Sequence, residues 1–535
     1  MAGSRGSSGS QDDEPAATVA KVTAGYDFGD EHSIELGALV IDDVTYPQAP
    51  VRIPLSMLNR HGLVAGATGT GKTKTLQLMA EQCSAAGIPV FAADIKGDLS
   101  GIATPGEAGD RVQKRMREIG RDWTPAGCPT DFFALGGDGI GVPVRATVTS
   151  FGPTLLSKVL GLNAVQESSL GLVFHYADQR SMPLLDLKDL RAVVAHLTSD
   201  EGKADLVELG GLSASTAGVI LRQLVTFSDQ GADVFFGEPE FDSADLLRTT
   251  ADGRGVVSLL ELPNLSTRPA LFSTFLMWLL ADLFGFLPEV GDVERPKLVF
   301  FFDEAHLLFR DGSKAFLEAI AQTVRLIRSK GVGVFFVTQT PKDVPDEVLA
   351  QLGSRVQHQL RAHTPNDAKA LKQTVATFPT SSYDLAETLT TLGTGEAIVT
   401  VMDPDGSPTP VAATKVRAPQ SLMAPTDPDR MTAAVAASAL QAKYGRPVDR
   451  ASAYEMLAAK VVVDTAVRPS DEAMPAPAER HVPAPTSDSA RAPRGGRAEK
   501  TVVEEVLGSA VMRDMARTAS REIFRSLFGS ARRRR

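Results

Sequence analysis

The chain has 535 residues, too many for one ordinary hydrophobic core, and its length predicts two to four domains. Hydrophobic residues make up 43% and charged residues 22%, as is typical of globular proteins. The two cysteines, Cys83 and Cys128, have no partners at metal-ligand spacing, so we expect no zinc site, no disulfide framework and a cytoplasmic location. The net charge of −10 argues against a nucleic-acid coat protein but does not exclude a motor with a local basic channel.

The N-terminal part of the chain reads as a tail followed by a short β element. Residues 1–20 contain no apolar stretch of a signal peptide and are predicted to be disordered. Residues 21–60 carry short β-like runs, among them 33–42. The one long apolar run, 269–287, approaches bilayer-spanning length, but it includes Asp282 and lies between strand-like segments. We therefore predict a buried helix there and not a membrane span.

From Gly62 onward, apolar strand patterns alternate with helical patterns. The strand candidates are 61–65, 88–94, 255–262, 297–302 and 331–338. Continuous apolar strands that alternate with helices predict an α/β fold with a parallel sheet covered on both faces. The core is assigned to 61–100 and 251–420, and residues 101–250 are predicted to be a mainly helical insertion.

The C-terminal part is predicted to contain a helical segment, a linker and a basic helix. Residues 427–463 have a helical pattern, and the Pro/Ala-rich residues 464–500 are expected to be a linker without packed structure. In the last segment, 501–535, four arginines recur every four residues: Arg513, Arg517, Arg521 and Arg525. This basic helix would bind nucleic acid, a membrane surface or a protein partner, or only present a solvated face, and the pattern leaves these alternatives open.

Residues 66–73 read GATGTGKT and match the phosphate-binding pattern G-x-x-x-x-G-K-[ST]. A strand pattern precedes this loop and a helical pattern follows it, as such a site requires. Lys72 is predicted to reach the β- and γ-phosphates of ATP, and the Thr73 hydroxyl to ligate Mg²⁺. The residues predicted to bind nucleotide are Gly66, Ala67, Thr68, Gly69, Thr70, Gly71, Lys72, Thr73 and Lys74.

Further polar residues follow other predicted strands. Asp303 and Glu304 end the run KLVFFFDE, where Asp303 suits Mg²⁺ binding and Glu304 suits the general base that orients water; acidic residues at a helix N-terminus are the alternative. Gln339 ends another strand and is predicted to sense the γ-phosphate, or else to cap a turn. Asp94 and Asp98 follow the second core strand, where Asp94 would assist the metal or the water, or simply be a polar strand end.

Five segments in this order resemble a known family. They are GATGTGKT, DIKGDLSG (94–101), FFFDEAHLLF (300–309), VRLIRSKGVGVFFVTQTP (324–341) and QLGSRVQHQLRAHTPND (351–367). As an ordered set they are similar to the bacterial HerA-like ATPases of the YjgR type, within the HerA/FtsK superfamily. The resemblance covers about residues 30–420 and the arginine-rich C-terminus.

The resemblance implies a RecA-like ATPase core that assembles as a homo-hexameric ring and uses ATP and Mg²⁺. It also implies an arginine finger supplied by the neighbouring subunit, for which the candidates are Arg355, then Arg328 or Arg325. Double-stranded DNA in a central pore is the cargo expected by analogy; a motor on a protein cargo and a nucleotide-gated scaffold are the alternatives. The roughly 40 residues before the core are shorter than the N-terminal β-barrel expected of DNA-processing HerA proteins, so partners that dock on that barrel are not implied.

Overall fold

The computed structural model describes residues 13–206, 210–262, 269–310 and 314–467. The strands are β1 Ser33–Ile41, β2 Val44–Pro54, β3 Gly62–Ala65, β4 Val90–Asp94, β5 Thr130–Leu135, β6 Val142–Val144, β7 Val257–Glu261, β8 Leu298–Phe302, β9 Val332–Thr338, β10 Ser354–His358, β11 Glu396–Thr400 and β12 Ala412–Val416. Most of the predicted linker and all of the predicted basic helix lie outside the described residues.

Helices cover both faces of the sheet that these strands form. They are α1 Asp13–Gly25, α2 Lys72–Ala85, α3 Asp110–Glu118, α4 Val148–Val159, α5 Ala164–Gln179, α6 Leu187–Thr198, α7 Asp200–Asp205, α8 Ala214–Asp229, α9 Pro269–Phe286, α10 His306–Phe309, α11 Lys314–Ile327, α12 Asp346–Leu349, α13 Pro365–Val375, α14 Leu385–Thr391, α15 Pro428–Ala437, α16 Ala439–Tyr444 and α17 Ala453–Val467.

The strands form one twelve-stranded sheet in the order β2-β1-β12-β11-β10-β3-β9-β8-β4-β7-β5-β6. The eight strands from β10 to β6 are mutually parallel, and the other four extend the sheet beyond β10 by antiparallel pairing. One strand, β9, lies between β3, which leads into the phosphate-binding sequence, and β8, which leads to Asp303. The predicted α/β fold with a parallel sheet is therefore confirmed.

The apolar run of β8 shows why the core strands have no polar face. Phe300 and Phe302 pack into the hydrophobic core on one side of the sheet, and Val299 and Phe301 pack into the core on the other side. Neighbouring side chains of a strand point to opposite faces, so a strand covered twice must be apolar at every position. This double burial fixes the carboxyl end of β8, and with it the position of the acidic pair that follows.

The insertion and the N-terminal element differ from expectation because their strands join the main sheet. The insertion contributes helices α3 to α8, but β5 and β6 within it extend the parallel sheet beyond β7. Both strands were missed because residues 101–250 were assigned as a whole to a mainly helical insertion, although β5 has six residues and β6 has three. Strands β1 and β2 form a hairpin within the N-terminal β element, and β1 also pairs with β12, so this element is an edge of the core sheet.

Two predicted boundaries are wrong. Helix α1 begins at Asp13, inside the segment expected to be disordered. It is anchored because Val22 is buried and because the following Tyr26 donates a hydrogen bond to Val399 O at 3.1 Å. At the other end, α17 continues past residue 463 to Val467, into the segment expected to be a linker.

The long apolar run forms helix α9, which is buried in the protein core as predicted. Phe272, Leu276 and Leu279 are fully buried in the core on one face of the sheet. Its one acidic residue, Asp282, accepts a hydrogen bond from Ser243 Oγ at 2.6 Å. Across the described part of the chain, no helix is long and apolar enough to cross a membrane.

Candidate nucleotide-binding and catalytic site

The phosphate-binding sequence forms a loop between β3 and α2, held by the strands on either side. Gly66 N donates to Thr338 O of β9 at 3.2 Å, and Ala67 N donates to Gln359 O, just after β10, at 2.8 Å. A Cβ on Gly66 would lie 2.5 Å from His358 Cβ, so only glycine fits there. Gly71 has a φ of +115°, which L side chains rarely adopt.

Lys72 begins helix α2 and folds back over this loop. Its side chain is buried, and its Nζ donates to Ala67 O at 3.1 Å. Burial lowers the pKa of Lys72, opposed by the negative charges of Glu304 and Asp303. The neighbouring Lys74 instead directs its Nζ along the helix to Gln77 Oε1 at 3.2 Å. The two lysines therefore have different surroundings, although both were predicted to bind nucleotide.

Asp303 follows β8 at the carboxyl edge of the sheet. Its Oδ1 accepts a hydrogen bond from Glu304 N at 2.9 Å, while its Oδ2 is buried and has no hydrogen-bond partner among the described residues. Burial, and then the adjacent Glu304, raise the pKa of Asp303 to about 7. A buried, unpaired carboxylate oxygen is costly unless a cation or a proton compensates it, and Mg²⁺ prefers such oxygen ligands.

Glu304 lies between the side chains of Lys96 and His306. It adopts a φ of +47°, which is uncommon for a residue other than glycine. Lys96 forms an ion pair with its Oε1, and His306 Nδ1 lies 3.1 Å from its Oε2. Burial raises the pKa of Glu304, but the contacts with His306 and Lys96 outweigh it and lower the pKa to about 2. The side chain is therefore ionised, as a general base must be.

Asp94 organises the loop that carries Lys96. Its Oδ1 accepts hydrogen bonds from the backbone N of Lys96 at 3.1 Å and of Gly97 at 2.7 Å, and its Oδ2 accepts one from Leu99 N at 2.8 Å. These contacts favour the alternative that Asp94 is a polar strand end, whose carboxylate here holds the following loop, over a role at the metal. Asp98, in the same loop, has a buried Oδ1 to which no described residue donates a hydrogen bond.

Gln339 lies at the carboxyl edge of the sheet, whereas two of the candidate arginines lie at the amino edge and the third lies within β10. Gln339 is exposed and directly follows Thr338, whose carbonyl oxygen holds Gly66. Arg328 and Arg325 precede β9, at the amino edge, and Arg328 lies 3.7 Å from Asp292. Arg355 pairs with Leu63 within the sheet, and its guanidinium donates to Thr377 O at 3.2 Å.

Sequence reasoning missed other basic residues around the site and one, Arg60, at the amino edge of the sheet. Arg361 extends over the phosphate-binding loop and donates to Thr68 O at 3.3 Å. Arg60 lies 3.4 Å from Asp292 and so shares this aspartate with Arg328. Lys96 and Arg115 were also missed. Arg361 and Lys96 stood inside the quoted family segments, but no spacing rule marked them as site residues.

Arg115 holds a turn that in turn contacts the phosphate-binding loop. Its guanidinium donates to Gly395 O at 3.0 Å, to Val416 O at 3.1 Å and to Thr394 O at 2.8 Å. Within this turn, Gly395 N donates a hydrogen bond to Thr70 O of the phosphate-binding loop at 2.9 Å. Arg115 therefore supports the loop indirectly.

We expect Arg115→Met to weaken nucleotide binding about tenfold, because hydrogen bonds to a charged group contribute roughly 1.5–3 kcal/mol each. The turnover number should change less than the affinity. Titration with a fluorescent ATP analogue checks this, and Arg117→Met, an exposed position on the same helix, is the matched control. Equal affinities for both variants would contradict the supporting role.

Glu261 is a second buried acid at the same edge. It ends β7 beside Asp94, and within the part of the chain that the structure describes its Oε1 has no hydrogen-bond partner. Burial, and then the charge of Asp94, raise the pKa of Glu261 to about 8. The folded protein therefore keeps a proton that the unfolded chain releases between pH 4.5 and 8, so stability falls as pH rises through this window.

Glu261→Gln should remove this loss of stability. We expect its melting temperature to exceed that of the wild type by several degrees at pH 8.5 but to differ little at pH 5. Thermal melts at the two pH values measure the difference. A melting temperature that shifts equally at both would mean that the ionisation of Glu261 is not the cause.

The site fits a nucleotide with its metal. Glycine at position 66 allows the loop to pass close to His358, where a Cβ would collide. Lys72 supplies positive charge for the phosphates. The unpartnered Asp303 Oδ2 and the Thr73 hydroxyl group, at the start of α2, are oxygen donors of the kind that Mg²⁺ takes. A phosphate-binding loop between a parallel strand and a helix, with an acidic pair ending the strand two places away, defines a P-loop NTPase.

The chain belongs to the family described as "Helicase HerA-like C-terminal", whose model matches residues 40–535. The resemblance to the HerA/FtsK superfamily is thus confirmed, and the protein is a HerA/FtsK-type P-loop ATPase. It is 22% identical over 378 residues to "DNA double-strand break repair helicase HerA" of Saccharolobus solfataricus, covering 70% of this chain and 67% of that protein. It is 34% identical over 115 residues to "Probable helicase MJECL08" of Methanocaldococcus jannaschii, covering 21% of this chain and 20% of that protein.

Among solved structures, the chain is similar to the plasmid coupling protein TrwB in complex with ADP and Mg²⁺. The TM-score is 0.49 at 16% sequence identity, and the match covers 75% of this chain and 97% of that one. VirB4 of Thermoanaerobacter pseudethanolicus matches with a TM-score of 0.45 at 14% identity, over 73% of this chain and 98% of that one.

Proposed function

We propose that the protein is a Mg²⁺-dependent ATPase motor that works as a homo-hexameric ring in the cytoplasm and translocates double-stranded DNA. The proposed ATPase activity rests on one observation: Lys72, Asp303 and Glu304 lie close together at one edge of the sheet. The DNA cargo is supported by two relatives named HerA helicases, one from Saccharolobus solfataricus and one from Sulfurisphaera tokodaii.

In this proposal the residues of the site have separate roles in ATP binding and hydrolysis. Lys72 and the backbone N–H groups of the loop bind the phosphates, while Thr73 and Asp303 hold Mg²⁺. Bound MgATP supplies the reactive phosphoanhydride and a metal charge that neutralises the phosphates. Glu304 orients the attacking water and accepts its proton. Gln339 contacts the γ-phosphate from the end of the neighbouring strand.

The neighbouring subunit would complete the site with an arginine. Strand β9 has seven residues, so Arg328 at its amino end is about 20 Å from the loop of its own chain at ~3.3 Å per residue. That distance suits a residue that acts in trans. Arg355 is engaged with Thr377 O and is partly withdrawn from solvent, so we favour Arg328, with Arg60 beside it.

The test is steady-state ATP hydrolysis with and without double-stranded DNA, at low and moderate salt, with Glu304→Gln as the blank. We expect DNA to raise the rate severalfold, more strongly at low salt because phosphate contacts are screened. If the hydrolysis rate is lost in Glu304→Gln but is not changed by DNA, the result would contradict DNA as the cargo and favour a protein cargo. Mass measurement of the particles in solution, with and without nucleotide, tests the hexamer.

A further inference from the structure

A second loop brings a cation onto the catalytic glutamate. Lys96 follows β4, the strand that pairs with β8, and its ammonium group forms an ion pair with Glu304. The glutamate side chain is 5% exposed and the lysine side chain 45% exposed, so the cation reaches a buried anion from the surface. The other carboxylate oxygen faces His306 Nδ1 at 3.1 Å. One oxygen of the base is therefore paired with a lysine, and the other faces an imidazole nitrogen.

The backbone under Lys96 is fixed, whereas its side chain has room to move. Asp94 is fully buried and accepts three backbone hydrogen bonds from Lys96, Gly97 and Leu99. Gly97 has a φ of +74°, which lets the loop turn tightly at this point. The four-carbon side chain of a lysine changes rotamer without any movement of the backbone. The ammonium group can thus change partner while the loop remains in place.

We propose that Lys96 is a positioning residue that restrains Glu304 in the nucleotide-free protein and releases it by moving to a phosphate oxygen when nucleotide binds. The inference rests on the proposed function, because it takes Glu304 as the general base. A base must present a free oxygen to water, and the ion pair withholds it. The charges of Lys96 and Lys72 act on each other, so the space between them favours an anion that would draw Lys96 away.

The ion pair itself is tested without catalysis, in a double-mutant cycle on the melting temperature of the nucleotide-free full-length protein. Lys96→Met should lower the melting temperature by several degrees, because it leaves the buried Glu304 charge unpaired. In the Glu304→Gln background the same substitution should have little effect. With Mg²⁺ and a non-hydrolysable ATP analogue, this coupling should disappear. An equal effect in both backgrounds without nucleotide would overturn the proposal.

The restraint is tested by turnover without DNA. Lys96→Met should raise the turnover number severalfold and also raise the KM for ATP, whereas Lys96→Arg should restore wild-type behaviour. Lys188→Met, which breaks an exposed ion pair with Glu455, is the matched control. A turnover number that stays unchanged, or that falls to the level of Glu304→Gln, would overturn the restraint. If Glu304→Gln itself keeps wild-type turnover, the proposed function fails, while the thermal cycle still reports on the ion pair.

Discussion

Glu304→Gln should lower the ATP turnover number by about 10²–10³-fold, within the range by which a positioned general base accelerates proton transfer. Glutamine keeps the size and the left-handed backbone position of Glu304, but its amide does not accept the proton of the attacking water. The substitution also removes the ion pair with Lys96. Nucleotide affinity should therefore change much less than turnover, since the phosphate contacts of the loop and Lys72 remain.

Single-turnover hydrolysis and equilibrium binding of a fluorescent ATP analogue separate these two effects. Glu107→Gln, at an exposed loop position, removes the same carboxylate charge without touching the site and serves as the matched control. The catalytic assignment would be refuted by a Glu304→Gln protein that retains wild-type turnover. Weakened binding with normal turnover at saturation would instead assign Glu304 to nucleotide binding.

The parts of the site that could be predicted are those in which one short segment contains both the scaffold and the chemistry. GATGTGKT includes its own turn-forming glycines and its own cation, and KLVFFFDE includes the buried strand that presents its acids. Because β8 is buried on both faces, it is apolar at every position. The sequence therefore identifies it as a core strand and shows where it ends. The same reasoning predicted the parallel sheet.

Contacts between segments that are distant in the chain could not be predicted in this way. Lys96 meets Glu304 because β4 and β8 are neighbours in the sheet, although the residues are 208 positions apart. Arg115 supports the loop through a turn that is 280 residues away in the chain. Strand order decides both contacts, and local periodicity carries no information on it. The pairing of β5 and β6 with the sheet beyond β7 is likewise a matter of strand order, which the sequence of the insertion does not show.

Lys72→Met should weaken ATP binding by about 10²-fold, since charge-assisted contacts to phosphate contribute roughly 1.5–3 kcal/mol each. Methionine keeps the unbranched shape but removes the ammonium group that the loop holds beside Ala67 O. Because burial of this charge already costs free energy, shown by the lowered pKa of Lys72, the free protein should melt no lower than the wild type. The effect would thus be on binding and not on folding.

Lys74→Met is the comparison that makes this prediction specific. The two lysines are two residues apart on helix α2, but Lys74 directs its ammonium group to Gln77 and acts electrostatically on Asp98 and Asp94. We therefore expect Lys74→Met to change ATP affinity only slightly, with calorimetric titration of both variants as the measurement. Equal losses would mean that general positive charge at the start of α2, and not the placement of one side chain, binds the phosphates. A loss confined to Lys72→Met would assign the phosphate contact to the lysine that folds back over the loop.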